Sequence, residues 1–252
     1  PTLPPRRPGA RFGRGGDTAG SLDSHHLSPR PHTAAVRLPH PVAGCRDSPG
    51  AVGNDGGAPR WYRPTAPGPH DWVAEQLPDD APVLLISPCS SHELRNWRAE
   101  YYARVADFAV HEMGMQVVLS GGPSELEQRM GAEIEGVMQA NCLNLVGQDT
   151  LEQSKAMLQR ADLVITPDSG PAHIASALGT PVIGLHAATW SRRSGPYNSL
   201  PLCVDRFEEA AHKFRKKEAE ELRWGTRIEE PGVMNLIEPA DVIERLLAWR
   251  AR

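Results

Sequence analysis

From residue 83 onward the chain alternates short apolar runs with longer amphipathic stretches. Val83-Leu84-Leu85-Ile86, Met115-Gln116-Val117-Val118-Leu119, Leu143-Asn144-Leu145-Val146, Leu163-Val164-Ile165 and Val182-Ile183-Gly184-Leu185 read as strands. Each run is about as long as a buried strand and too short for a core helix. Between them the apolar residues fall at helical spacing. Arg98 to Met113 carries Tyr101, Tyr102, Val105, Phe108 and Ala109 on one face, and Gly114 closes it. Further helices are predicted from Ser124 to about Gln139 and from Leu151 to Arg160, with a short one over Asp71–Leu77. Ser124 with Glu127 has the spacing of a capping box. Beyond the fifth run, Leu202-Cys203-Val204 reads as a sixth strand. Glu208–Glu221 reads as a charged helix, and Glu238–Trp249 as a terminal helix with Val242, Ile243, Leu246 and Leu247 on one face. No internal repeat is present. Strands alternating with helices predict βαβ units: an α/β, Rossmann-like parallel sheet with helices on both faces.

Residues 1–70 break this pattern. Their apolar positions are scattered singly, and they hold 13 of the 24 prolines and 11 of the 23 glycines. Nine arginines against four aspartates, with no lysine or glutamate, give the segment +5, so the remainder carries −9 of the net −4. Such composition cannot bury enough surface to offset chain entropy, and a disordered segment is expected. A basic arm, P-x-x-P ligands, and the product of a shifted reading frame in GC-rich DNA are alternative readings of it. The expected organisation is residues 1–70 as a Pro/Gly/Arg-rich segment and residues 71–252 as one Rossmann-like domain.

Composition narrows the function classes. A net charge of −4 offers no global field for nucleic acid. Cys45, Cys89, Cys142 and Cys203 have no zinc spacing and fit free thiols in a reducing compartment. No run has the length of a membrane span, and the first residues lack the apolar core of a signal peptide. The chain does not begin with Met, as a piece of a longer protein would not.

The candidate chemistry lies in the turns that follow the strands, since ligands of open α/β sheets sit outside the carboxyl ends of the strands. Asp168-Ser169-Gly170-Pro171-Ala172-His173 follows the fourth run and opens a helix, closed by Gly179-Thr180-Pro181. A helix N-terminus there favours a phosphate through its unpaired N–H groups and its dipole. Gly170 and Pro171 leave the first turn bare, and His173 lies at the same mouth. Asp168, acidic beside a phosphate site, is expected to face a sugar hydroxyl. An ordinary capped helix with a packed histidine would look much the same. Ser90 and Ser91 precede Arg95, whose planar fork could meet phosphate oxygens, although taken alone it reads as a solvated surface arginine. Trp97 reads as packing its loop. Ser120-Gly121-Gly122-Pro123 and Gly147-Gln148-Asp149-Thr150 could wall a nucleoside pocket, with Glu125 or Glu127 reaching ribose hydroxyls; ordinary loop chemistry explains both turns almost as well. Walker A, G-x-S-x-G and G-x-G-x-x-G motifs are absent, as is a D-x-D pair to hold a metal–diphosphate complex.

Asp168-Ser169-Gly170-Pro171-Ala172-His173, Gly179-Thr180-Pro181, Thr189 and Gly195-Pro196-Tyr197 together resemble the carboxyl-terminal half of the heptosyltransferases, glycosyltransferase family 9. Ser90-Ser91 with Arg95-Asn96-Trp97 is similar to that family's phosphate-contact loop, where lysine commonly stands in place of Arg95. Ser191 stands where proline is common. The resemblance spans about residues 71–250. It implies a GT-B architecture whose carboxyl-terminal domain binds a nucleotide-sugar donor, typically ADP-heptose, with UDP not excluded by the residues. It implies metal-independent, inverting transfer without a cofactor to a lipid-linked, lipopolysaccharide-type saccharide, in the cytoplasm and peripheral to the inner membrane. Asp168 would contact the donor sugar; Ser169, Gly170 and His173 would hold the diphosphate, with Arg95 assisting. The acceptor domain and its general base belong to an amino-terminal half that residues 1–70 do not replace. A GT-B nucleotide-sugar epimerase and a non-catalytic nucleotide-binding remnant are the alternatives.

Overall fold

A computed structural model describes residues 67–77 and 81–251. The disordered Pro/Gly/Arg-rich segment expected over residues 1–70 lies, up to residue 66, outside the described residues. The first helix, α1 (Pro67–Gln76), opens at Pro67 rather than Asp71. Then follow β1 (Val83–Ile86), α2 (Ala99–Met113), β2 (Gln116–Leu119), α3 (Glu125–Val137), β3 (Leu143–Asn144), α4 (Leu151–Arg160), β4 (Leu163–Pro167), α5 (Gly170–Leu178) and β5 (Val182–His186). Beyond these come a short helix α6 (Ser191–Ser194), β6 (Val204–Asp205), α7 (Phe207–Ala210) and the terminal α8 (Pro239–Arg250).

Among the described residues, six strands form one parallel sheet in the order β3-β2-β1-β4-β5-β6. The alternation of side chains along each strand splits the core into two layers. Leu84, Ile86, Val117, Leu119, Ile165 and Ile183 face α2, α3 and α8. Val83, Leu85, Val118, Val164 and Val182 face α1, α4 and α5. Strands covered on both faces carry continuous apolar runs, which is why they were legible as runs. The chain order reverses between β1 and β4, so the crevice at their carboxyl ends is the topological switch point where such sheets bind ligands. The loop after β1 carries Ser90 to Arg95, and the turn after β4 carries Asp168 to Gly170.

Several predicted elements shift for identifiable reasons. Helix α3 stops at Val137 because the Asp107 carboxylate takes the N–H groups of Gln139 and Ala140 at 3.0 and 2.8 Å. The β3 ladder is confined to Leu143 and Asn144 at the sheet edge. Residues 197–202 coil into a 3₁₀ turn, so β6 begins at Val204 rather than Leu202. The charged helix predicted over Glu208–Glu221 does not form as one element. After α7 the chain passes through a π-turn (Ala211–Arg215) to Lys216 at φ +54° and then a 3₁₀ turn (Ala219–Glu221). Breaking the helix turns Ala219 and Leu222 inward against the main core.

Candidate functional site

Helix α5 ends on Gly179, which sits at φ +87° and donates to the carbonyl of Ser176. At its other end the N-cap is Ser169, in extended backbone, with no side-chain cap bond. The Ser169 hydroxyl lies instead 2.8 Å from the Thr166 hydroxyl. The first N–H groups of a helix have no partner within it. Here the usual capping oxygen is turned away from them, so the capped-helix reading of this turn does not hold. Gly170 is exposed, and a Cβ built on it meets nothing within 4 Å. Pro171 starts the helix without an N–H of its own. The mouth of α5 is therefore bare and open, and the helix dipole favours an anion there.

Asp168 sits at the rim of that mouth, its side chain 12% exposed. The Ser194 hydroxyl donates to its Oδ2 at 2.9 Å. Arg193 Nη2 lies 3.9 Å from the same oxygen, and His173 Nε2 lies 3.9 Å from Oδ1. His173 is half exposed, on the first turn of α5. Arg193 and Ser194, supplied by α6, carry no motif in the sequence. Only the return of the loop after β5 onto β4 makes them partners of Asp168.

Across the switch point, Ser90 is buried and shapes the loop: its N–H donates to Asn96 Oδ1 at 2.7 Å, and its hydroxyl donates to the His92 carbonyl at 3.0 Å. Arg95 is not a solvated surface arginine. It is 6% exposed, with Nη2 donating to Ser91 Oγ at 2.7 Å and Nε 3.4 Å from Glu229 Oε1. Its Nε makes no hydrogen bond. A buried guanidinium needs a counter-charge, and Glu229 supplies one. Glu229 also lies 3.8 Å from His92 Nε2. It arrives on a strap that crosses the sheet edge, held by the Ile228 N–H on the Ala188 carbonyl at 2.8 Å. No local sequence signal marks Glu229. Trp97 packs the loop as expected: it is buried, its indole N–H donates to the Ile237 carbonyl at 2.9 Å, and Tyr101 and Tyr102 meet it edge-on.

Gly122 and Gln148 lie on the β2 and β3 side of the same edge and make local bonds. The Gly122 N–H donates to Glu127 Oε1 at 2.9 Å, while Ser124 Oγ donates to Glu127 Oε2 at 2.6 Å. Glu127 is thus committed to its own turn, and its carboxylate reaches Gly122 rather than closing a capping box on the Ser124 N–H. A full capping box forms instead at Thr150 and Gln153. Gln148 Nε2 donates to the Asn144 carbonyl at 2.8 Å. Burial pushes the nearby Asp149 carboxyl above its usual range, against opposing hydrogen bonds from its own backbone, Ser154 and Ser120.

His186, at the carboxyl end of β5, was missed in the sequence. It is fully buried, its Nδ1 lies 3.3 Å from Thr189 Oγ1, and its Nε2 has no partner. A Cβ on Gly184 would stand 2.8 Å from that Nε2, so glycine makes room for the ring. Burial lowers its pKa; Asp205 and Asp168 oppose this, while His173 and Arg193 add to it. The unfolded chain therefore binds this proton more readily than the folded one. The stability linked to His186 is complete above the unfolded pKa of about 6.5 and is lost as the pH falls through that value, by up to about 1.4 kcal/mol per pH unit. Urea unfolding at about pH 7 and pH 5 should show this loss in the wild type and a smaller one in His186→Gln; equal losses would remove His186 from the account.

Among the described residues no group of three or more His, Cys, Asp and Glu could hold a metal ion. No described helix is long and apolar enough to cross a membrane. Cys89, Cys142 and Cys203 are free thiols. Burial raises Cys89 and Cys203 to about 12 and Cys142 to about 11, so none is poised as a nucleophile.

Residues 65–223 match the family model described as glycosyltransferase family 9 (heptosyltransferase). The chain is 34% identical over 208 residues to the lipopolysaccharide core heptosyltransferase OpsX of Haemophilus influenzae, covering 82% of this chain and 60% of that protein. It is 32% identical over 152 residues to lipopolysaccharide heptosyltransferase 2 of Escherichia coli K12, covering 58% of this chain and 42% of that one. Among solved structures it resembles the E. coli ADP-heptose lps heptosyltransferase II, with TM-score 0.55 and 24% identity over 73% of this chain and 51% of the other. The family 9 glycosyltransferase of Veillonella parvula gives TM-score 0.54 at 23% identity, over 71% and 49%. The chain thus spans 60% or less of the length of each of these relatives.

Proposed function

The chain belongs to glycosyltransferase family 9, and from that premise we propose that its described domain binds the nucleotide-diphosphate sugar of a heptosyl transfer, ADP-heptose, for delivery to a lipopolysaccharide-type acceptor. The observation that carries this reading is the uncapped N-terminus of α5, beside an acidic side chain and opposite a buried arginine. The diphosphate sits on the N–H groups of Gly170, Ala172 and His173, where dipole and hydrogen bonds act together. Arg95, released in part from Glu229, closes on its oxygens from the β1 loop. Asp168 is held by Ser194 and Arg193 so that a carboxylate oxygen accepts from a hydroxyl of the donor sugar. Gly122 and Gln148 wall the nucleoside side.

In this assignment positive charge develops no further than it already stands in the protein. The leaving nucleoside diphosphate gains charge as the glycosidic bond breaks, and the α5 N-terminus, His173 and Arg95 stabilise it in place. Such prearranged donors can serve where a divalent cation serves elsewhere, and transfer is proposed to need none. The base that deprotonates the acceptor hydroxyl is assigned to a part of the full-length enzyme beyond this domain. With a lipid-linked acceptor, the transfer is proposed to take place at the inner membrane, on its cytoplasmic face. An epimerase would need two proton-transfer groups about the sugar. Asp168 is already bonded by Ser194, and His173 stands on its diphosphate side, so transfer fits better.

His173→Ala should weaken ADP binding by about 1–3 kcal/mol, as for a hydrogen bond to a charged group. Asp168→Asn should leave bare ADP affinity nearly unchanged and reduce the preference for ADP-heptose over ADP. Calorimetry on both variants checks the pair. Unchanged ADP affinity in His173→Ala would assign the imidazole to packing, and a large ADP loss in Asp168→Asn would move that carboxylate off the sugar.

A further inference from the structure

Arg95 brings a positive charge to the switch point, and Glu229 sets a carboxylate against it, with Oε1 3.4 Å from Arg95 Nε. That contact is an ion pair and not a hydrogen bond, since Nε is buried and makes none. Among the described residues the guanidinium makes one hydrogen bond, from Nη2 to Ser91 Oγ at 2.7 Å, although its fork carries several more donors. Arg95 is therefore neutralised without being saturated. Glu229 is placed differently. Its side chain is partly exposed, and its other oxygen lies 3.8 Å from Nε2 of the half-exposed His92. Its backbone is fixed on both sides. The Ile228 N–H donates to the Ala188 carbonyl at 2.8 Å, and Arg215 Nη1 holds the Glu230 carboxylate. Beyond Gly232, at φ +80°, the Val233–Leu236 turn leads to Ile237, whose carbonyl takes the Trp97 indole N–H at 2.9 Å. The strap is thus pinned, while the Glu229 side chain is free to turn toward His92 and water.

A buried guanidinium left alone is costly, so an empty site needs a counter-charge. A diphosphate on the α5 N-terminus brings its own and makes that counter-charge redundant. Glu229 and the phosphate oxygens are then like charges competing for one guanidinium, and only the carboxylate has His92 and water to turn to. A phosphate can also take the unbonded Nε–H together with a neighbouring Nη–H as a fork, which the carboxylate does not. Once the glycosidic bond has broken and the nucleoside diphosphate leaves, Glu229 recovers its partner. Resting on the donor reading above, we propose that Glu229 is an exchange counter-ion for Arg95. It holds the guanidinium in the empty site, yields it to the diphosphate, and by reclaiming it sets how fast the nucleoside diphosphate is released. It is a positioning residue that acts through Arg95 and touches no substrate.

The test is calorimetric titration of ADP into the full chain, with stopped-flow measurement of ADP release, on Glu229→Gln, Glu229→Asp and Arg95→Met/Glu229→Gln. Glu229→Gln should bind ADP about tenfold more tightly, a change of about 1.4 kcal/mol, and release it correspondingly more slowly, while the empty protein unfolds at a lower midpoint. Affinity and stability then move in opposite directions, whereas a strap that only braces the site would lose both together. Glu229→Asp draws the carboxylate back by a methylene and keeps its charge. It should tighten ADP by less, and it decides the matter if the glutamine variant does not fold. The gain should vanish without Arg95, leaving the double variant no tighter than Arg95→Met. Unchanged or weaker ADP binding in the folded single variants, or the same gain without Arg95, would overturn the exchange while leaving the donor site standing. Failure of ADP to bind the wild type would instead sink the donor reading. The comparison is then made with inorganic pyrophosphate, followed by the Arg95 Nε–H resonance: tighter binding in Glu229→Gln supports the exchange, and equal binding or no response overturns it.

Discussion

Arg95→Met is expected to weaken ADP binding by about a hundredfold while leaving the chain folded. Met preserves the apolar stem that packs in the loop and removes the guanidinium. Arg95 is nearly inaccessible to water, so its charge is little screened, and each charge-assisted bond it gives a phosphate is worth about 1.5–3 kcal/mol. The structural cost is smaller. Glu229, which loses its partner, is 27% exposed on its strap and can be rehydrated. The competing expectation is that Arg95 only anchors the strap through Glu229. Then Arg95→Met would lower the unfolding midpoint with little change in ADP affinity. The double variant Arg95→Met/Glu229→Gln separates the two: the affinity loss should persist in it, and any loss of stability from an orphaned carboxylate should recover.

Gly170→Val is expected to reduce ADP affinity by a similar factor with no loss of stability. The replaced Cβ meets no atom within 4 Å, and the residue does not occupy the left-handed region. Nothing in the fold therefore resists a side chain there. A diphosphate does, because it must approach the bare backbone at the first turn of α5. Keeping it away forfeits the anion–dipole attraction, up to about 2 kcal/mol, and at least one charge-assisted bond. A site elsewhere along the sheet edge would be indifferent to this change.

How much of this was legible in the sequence depends on whether the cause was local. The five apolar runs and the helices between them are dictated by strands buried on both faces, and the parallel order followed. The turn at Asp168 to His173 was visible because its chemistry lies within six consecutive residues. Arg95 was visible as a residue but not as an environment, since its counter-charge Glu229 and the strap that carries it come from far along the chain. Arg193 and Ser194 became partners of Asp168 only when the loop after β5 folded back. The Glu208–Glu221 stretch has good helical composition, but tertiary packing of Ala219 and Leu222 outweighs that propensity. Glu127 shows the reverse case: an acid that could serve a ribose is taken up by the Gly122 N–H and the Ser124 hydroxyl.

The central claim is that the N-terminus of α5 holds a nucleoside diphosphate. Calorimetric titration of ADP into the full chain, with a chelator present, tests it most directly when run in parallel on Gly170→Val. The account predicts saturable one-site binding to the wild type, and binding roughly a hundredfold weaker in the variant at an unchanged unfolding midpoint. No saturable heat with the wild type, or equal affinity in the two proteins, would contradict it.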